Sequence, residues 1–93
     1  MRRHERIHLQ NVRIAAGARR HHFDGKIGIP FLCACDDEGC GEFVVVPLNA
    51  FEEASRARMI PIAHGHVVAG ATRVADEDEY ELVRVPNGRS QTA

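Results

Sequence analysis

The stretch FLCACDDEGCGE, residues 31–42, contains all three cysteines of the chain, Cys33, Cys35 and Cys40, within eight positions. On an extended backbone the side chains of Cys33 and Cys35, two residues apart, point to the same side. The polar DDEG segment predicts a bend, and Gly39, which can adopt a positive φ, would bring Cys40 back beside them. The stretch therefore predicts a site for a divalent ion that prefers thiolate ligands.

The fourth ligand of such a site must come from elsewhere in the chain. Structural zinc takes four ligands in a tetrahedron, and three Cys with one His are a common set. His64 and His66, one strand, one helix and one more strand further on, are the candidates. An iron–sulfur cluster is an alternative to zinc, because such sites span many spacings. Free cysteines buried in a core are the competing interpretation, but the polar DDEG loop argues against it.

Length and composition place the protein among small single-domain proteins. A chain of 93 residues with four Phe, one Tyr and no Trp buries a smaller share of its surface than a large one, so a bound metal would help its stability. An odd number of cysteines, two of them too close for an unstrained bridge, disfavours a disulfide framework. We find no signal peptide and no apolar window that approaches a membrane span. We therefore expect a cytoplasmic protein with reduced thiols and no membrane partner.

The net charge of −1 hides an uneven distribution along the chain. Residues 1–26 carry seven Arg or Lys against two acids, whereas residues 27–93 carry five against eleven. Such asymmetry can indicate a nucleic-acid-binding arm. A basic helix lying against the acidic remainder of the chain is the favoured explanation, because no aromatic residues interleave with the arginines as a stacking surface would require. The candidate nucleic-acid contacts are Arg2, Arg3, Arg6, Arg13, Arg19 and Arg20.

Propensity and periodicity predict the order of the elements. Residues 4–22, rich in Ala and Arg and without Pro, predict a helix with apolar side chains on two sides, which suggests a protein partner or a homodimer. Residues 23–30 predict a linker, 42–46 a strand, 48–58 a helix and 60–62 a short extended segment. Residues 71–75 and 80–85 alternate around an acidic tip and predict a hairpin.

The predicted fold class is therefore a small α+β domain with an N-terminal helix, a Cys-rich metal loop, a strand, a helix and a C-terminal β-hairpin. We divide the chain into a basic N-terminal helix or arm at 1–24, a metal-stapled α+β domain at 25–86 and a disordered tail at 87–93. The other histidines, His4, His8, His21 and His22, are expected to be solvent-exposed.

The residues also resemble a known group of proteins. FLCACDDEGC, a short strand, an LxxFEEA helix and a turn ending in Gly-His are similar to a pattern found in short, mostly uncharacterised bacterial proteins: F-x-C-x-C, C, L-x-x-[YF]-E, P-G-H. The resemblance covers about residues 31–85. It implies Cys33, Cys35, Cys40 and His66 as the metal ligands, whereas His64 stands where the group usually has Pro.

These observations favour a non-enzymatic protein in which zinc is structural and the domain acts as a small regulatory or interaction module. A catalytic zinc would need an open coordination position and a general base, and acids beside a metal loop, such as Glu38 and Glu42, are usually only solvated. The alternatives are a nucleic-acid-binding module and a thiol-based redox or metal sensor.

Overall fold

A computed structural model describes residues 2–86 of the chain, so the tail predicted for 87–93 lies outside the described residues. These residues form two helices and five strands. In chain order the elements are α1 (Arg3–Arg20), β1 (Gly28–Leu32), β2 (Phe43–Pro47), α2 (Leu48–Arg56), β3 (Met59–Ile62), β4 (Thr72–Asp76) and β5 (Glu81–Arg84). The predicted α+β class is confirmed.

The strands form two small antiparallel sheets. β1 pairs with β2 over their whole lengths, so that Gly28 lies opposite Pro47 and Leu32 opposite Phe43. In the second sheet β5 lies between β3 and β4. β3, which contains Pro61, is an edge strand of this sheet, which suits a residue without an N–H to donate to a second neighbour.

The sequence interpretation missed β1. Residues 28–30 were predicted as linker because they combine Gly and Pro, yet they pair with β2. A strand of a two-stranded sheet has one free edge, which tolerates the absent N–H of Pro30. Ile29 and Phe31 point into the core from this strand, and Val44 and Val46 do so from its partner.

The core lies between the helices and the two sheets. The Phe31 and Phe51 rings stack with centroids 4.2 Å apart, joining β1 to α2. Helix α1 buries one side only: Ala15 and Ala18 are buried, whereas Leu9 and Val12 on the opposite side are exposed. The second apolar side of the helix found in the sequence therefore faces solvent. Among residues 2–86 no helix is long and apolar enough to cross a membrane.

A buried amide joins α1 to the strand that leads into the cysteine loop. Asn11 is fully buried, and its side chain mimics a neighbouring strand: Nδ2 donates to the Leu32 carbonyl at 3.0 Å, and Oδ1 accepts from the Leu32 N–H at 2.9 Å. The Asn11 amide thereby supplies partners for the N–H and the carbonyl of Leu32, the last residue of β1. Both groups lie on the free edge of the strand and would otherwise have no partner.

Candidate metal centre

The end of the first sheet positions Cys33 and Cys35. The Cys33 amide donates to the Glu42 carbonyl at 3.0 Å, which continues the β1–β2 pairing by one residue. The next amide, of Ala34, donates to Pro61 of β3 at 3.2 Å. Both cysteines are buried, and all three cysteines of the chain are free thiols. Main-chain hydrogen bonds to both sheets therefore fix the segment that carries Cys33 and Cys35.

A tight turn returns Cys40 to the other two sulfurs, but Gly39 is not its cause. Gly39 lies outside the left-handed region, contrary to the sequence interpretation. Instead the Asp37 carboxylate accepts from the Gly39 amide at 2.9 Å, and the Asp37 carbonyl accepts from Cys40 at 3.0 Å. An Asx-type turn of this kind bends the chain without a positive φ.

A second turn, after β3, presents His66. The His66 amide donates to the Ala63 carbonyl at 3.1 Å, and Gly65 within the turn has φ +81°. That conformation costs a residue with a Cβ free energy, whereas Gly adopts it readily. The turn therefore depends on glycine, and it directs the next side chain toward the cysteines.

The four side chains come together as one cluster. One ligand atom from each of Cys33, Cys35, Cys40 and His66 lies within 4.8 Å of the others. His66 Nδ1 is 3.5 Å from Cys33 Sγ and 3.7 Å from Cys40 Sγ. Around a tetrahedral zinc ion with Zn–S of about 2.3 Å and Zn–N of about 2.05 Å, neighbouring sulfur and nitrogen ligands lie about 3.6 Å apart. The residues present thus fit a single tetrahedral metal ion.

Burial favours the protonated form of the Cys33 and Cys35 thiols. It raises the pKa of the Cys33 thiol to about 12, even though the Ala63 amide donates to the sulfur at 3.2 Å, and it also raises the pKa of Cys35. A buried thiolate is costly without a compensating charge. The Cys33 and Cys35 sulfurs are therefore suited to a bound cation, which would supply that charge.

Glu42 orients the imidazole of His66. Its Oε2 lies 3.0 Å from His66 Nε2, so that the negative charge of the carboxylate favours a proton on Nε2, while Nδ1 faces the sulfurs of Cys33 and Cys40. Metal-ligating histidines usually donate their other N–H to a carboxylate or carbonyl in this way. Glu42, which the sequence suggested only as a weak candidate base, thus supports the ligand.

His64, the alternative fourth ligand, lies in a different cluster. Its Nδ1 is 3.1 Å from Asp76 Oδ1 and 3.4 Å from Glu81 Oε2. Partial desolvation lowers the pKa of His64, but the Asp78 carbonyl and the two carboxylates outweigh it and raise the pKa overall. The guanidinium of Arg73 also faces the buried Glu81 carboxylate, at 3.3 Å. We therefore assign the contacts among His64, Asp76 and Glu81 to holding the turn after β3 against the β4–β5 hairpin.

The basic residues predicted as nucleic-acid contacts mostly face the protein itself. Arg3 donates to the carbonyls of the three cysteines, and Arg19 pairs with Glu52 of α2 at 2.5 Å. Arg2 pairs with Asp36 at 3.3 Å, and Arg6 pairs with Glu38 at 3.0 Å. Arg13 and Arg20 are exposed. The structure therefore places the acidic partners of the basic helix within the same chain, and a nucleic-acid partner stays a prediction.

Two of the histidines expected to be exposed are not. His4 is 6% exposed, and His8 is half-buried, with Nε2 3.2 Å from Ser55 Oγ and its ring 5.9 Å from that of Phe51. Burial lowers the pKa of both imidazoles. They face the interior because one side of α1 packs against β1 and α2. The apolar residues on two sides of the helix did not show in the sequence which side would be buried. His21 and His22 are exposed, as predicted.

Comparisons of the chain with protein-family models, with curated proteins and with solved structures gave no match. The resemblance to the short bacterial proteins therefore stays a prediction. The chemistry of the centre has to be argued from its own residues.

Proposed function

We propose that the protein is a non-enzymatic zinc-binding module whose ion is held by Cys33, Cys35, Cys40 and His66. The observation that carries the proposal is the convergence of three sulfurs and one imidazole nitrogen within 4.8 Å of one another. Sulfur and nitrogen ligands in a tetrahedral arrangement favour zinc among the common divalent ions. One ion also fits this spacing better than an iron–sulfur cluster, whose own atoms would hold the four ligands further apart.

The role of the ion in this proposal is structural. Four protein ligands fill a tetrahedral coordination shell, so that no position is left for a substrate or an activated water. The ligands come from three places in the fold: the end of β1, the turn before β2 and the turn after β3. Zinc would therefore link the two sheets, and its binding free energy would contribute to folding.

The surface that the fold leaves exposed supports a regulatory or interaction role. Leu9 and Val12 form an exposed apolar strip on α1, with exposed fractions of 49% and 40%. Together with the closed metal site, this strip supports a module that binds a protein partner rather than one that performs chemistry.

The test is the zinc content of purified variants, measured by elemental analysis. We expect one zinc per chain in the wild type, and its loss in Cys35→Ser and His66→Ala because each removes a ligand. His64→Ala is the matched control and should retain zinc, since His64 contacts Asp76 and Glu81 instead. Equal loss from the two histidine variants would refute the assignment of His66.

A thiol-based sensor is the second candidate, and the accessibility of one edge of the site supports it. Cys40 is only partly buried, and a cavity of about 450 Å³ lined by Cys35, His66 and Val67 opens beside the cluster. Peroxide could oxidise two of the thiolates to a disulfide while being reduced to water, which would release the ion. Zinc release at low, graded peroxide would support the sensor, whereas a site that resists peroxide would support the structural role.

A further inference from the structure

A single guanidinium contacts the main chain at all three cysteine positions. Arg3, in the first turn of α1, donates through Nη1 to the carbonyls of Cys33, at 3.2 Å, and of Cys35. Its Nη2 donates to the carbonyl of Cys40 at 2.9 Å. The two ends of the cysteine loop and its middle are thus joined through one planar group that belongs to a distant part of the chain.

The neighbouring arginines contact the same loop through its exposed side chains. Arg2 and Arg6 pair with Asp36 and Glu38, and these side chains are between 34% and 73% exposed. Exposed ion pairs of this kind contribute little to stability. Arg3 differs because it is partly buried and binds carbonyl oxygens of the residues whose sulfurs form the cluster.

The geometry of a guanidinium suits this task. It is planar, permanently charged and presents its N–H groups in fixed directions, whereas the ammonium of Lys is a compact point charge on a flexible stem. Three carbonyls held by one rigid fork keep the residues at 33, 35 and 40 at fixed distances from one another. Such preorganisation reduces the ordering that a ligand must bring about when it binds.

We propose that Arg3 is a positioning residue of the metal site: through the three carbonyls it holds the cysteines in the arrangement that the ion requires. This inference rests on the proposed zinc function. It assigns Arg3 to the metal centre instead of to a nucleic-acid contact. Loss of partners outside the ligand shell typically weakens metal binding about 10- to 100-fold, and we expect an effect in that range.

The chain offers two matched controls on the same helix. Arg19→Gln removes the same charge and loosens α1 at its other end, where Arg19 contacts Glu52 and Asn49 of α2. Arg13→Gln removes the same charge from an exposed position. The first control separates positioning of the cysteines from general loosening of the helix, and the second separates it from a change in net charge.

The experiment measures the zinc dissociation constant of the full chain by competition with a chromophoric chelator. Arg3→Gln should bind zinc at least tenfold more weakly than the wild type, and both controls should stay within threefold of it. Arg3→Lys, which keeps the charge but not the fork, should fall between the wild type and Arg3→Gln. Should Arg3→Gln fail to fold with zinc present, Arg3→Lys decides the matter, with an expected loss of more than threefold.

Two results would overturn the inference. One is an affinity of Arg3→Gln within threefold of the wild type. The other is an equal loss in Arg19→Gln, because Arg3 would then act only by holding the helix in place. The proposed function fails separately and earlier in the same series, if the wild-type chain itself does not bind zinc.

Discussion

At the scale of single residues, Glu42 lies beside one of the four candidate ligands, His66. Its carboxylate lies 3.0 Å from His66 Nε2, and its negative charge favours the tautomer in which Nδ1 is free to coordinate a metal. Carboxylate partners of this kind also make the imidazole a better donor. The sequence shows an acid next to a metal loop, but it does not show which way the acid points.

We therefore expect Glu42→Gln to weaken zinc binding about tenfold, because the neutral amide is a poorer acceptor for the imidazole N–H. Chelator competition measures the change. Glu53→Gln, an exposed acid on α2, is the control and should leave zinc affinity unchanged. Unaltered affinity in Glu42→Gln would show that the contact does not support the ligand.

His8 gives a prediction about pH that does not involve the metal. Burial, with a smaller effect of neighbouring His4, lowers the pKa of His8 below the ordinary value of 6.5. Below that value the unfolded chain binds more protons than the folded one, so the stability that neutral His8 contributes is lost as pH falls from 6.5 through the lower folded-state pKa.

The His8→Gln variant should therefore lose less of its unfolding free energy than the wild type between about pH 7 and pH 5. Urea denaturation at a series of pH values measures the two curves, and contributions of zinc release or of other histidines cancel in their difference. His21→Gln, at an exposed position, should follow the wild type. Parallel curves for His8→Gln and the wild type would contradict the buried, neutral imidazole.

At the scale of elements, Asn11 joins α1 to the strand that carries the cysteines. Both hydrogen bonds of its amide go to the main chain of Leu32, the residue before Cys33. An Asn in a helix lowers helix propensity slightly, so the sequence gives no reason for it. Asn11 is explained by the free edge of β1, whose main-chain groups it binds. Because the sequence did not predict β1, it could not predict this role.

We expect Asn11→Ala to lower the free energy of unfolding by about 1–3 kcal/mol, because it leaves the partly buried N–H and carbonyl of Leu32 unpaired. Urea denaturation in saturating zinc measures the loss. Gln10→Ala, its exposed neighbour on α1, should change stability by less than about 0.5 kcal/mol. A loss in Asn11→Ala no larger than in Gln10→Ala would mean that water replaces the amide at no cost.

The elements that the sequence predicted are those with strong local signals. The Pro-free, Ala- and Arg-rich segment gave α1, the Val44 to Val46 run gave β2, and alternation around the acidic tip gave the β4–β5 hairpin. β1 was missed because Gly28 and Pro30 are poor strand formers on their own. They form a strand because they pair with Pro47 and Val45 of β2, which lie far along the chain from them.

The same division applies to the centre. The sequence placed the three cysteines together because they are close along the chain, and the resemblance gave His66 rather than His64. The sequence could not predict the contacts of Arg3 with the cysteine loop, because Arg3 is 30 or more positions from the carbonyls that it binds. A basic residue in a basic segment is equally compatible with a nucleic-acid contact.

At the scale of the whole molecule, the candidate ligands lie where the two sheets meet. Cys33 and Cys40 belong to the first sheet and its loop, and His66 follows the edge strand of the second. An ion at this position would connect the two sheets, in addition to the hydrogen bonds that Ala34 and Asp36 donate to the carbonyls of Pro61 and Val67. Stability should then depend on free zinc, as for any ligand that binds only the folded chain.

The expected dependence is an increase of about 1.4 kcal/mol in unfolding free energy for each tenfold rise in free zinc above the dissociation constant. Denaturation in zinc buffers of graded free concentration measures it. Magnesium is the control and should have no effect, because it prefers oxygen ligands. Stability that does not change with free zinc would mean that the ion does not bind selectively to the folded state.

The central claim is that one zinc ion is held by three sulfurs and one imidazole nitrogen. X-ray absorption spectroscopy at the zinc edge of the purified chain tests it most directly. We predict a single shell of three sulfurs at about 2.3 Å and one nitrogen at about 2.0 Å. A chain without zinc, or zinc surrounded mainly by oxygen and nitrogen, would contradict the account.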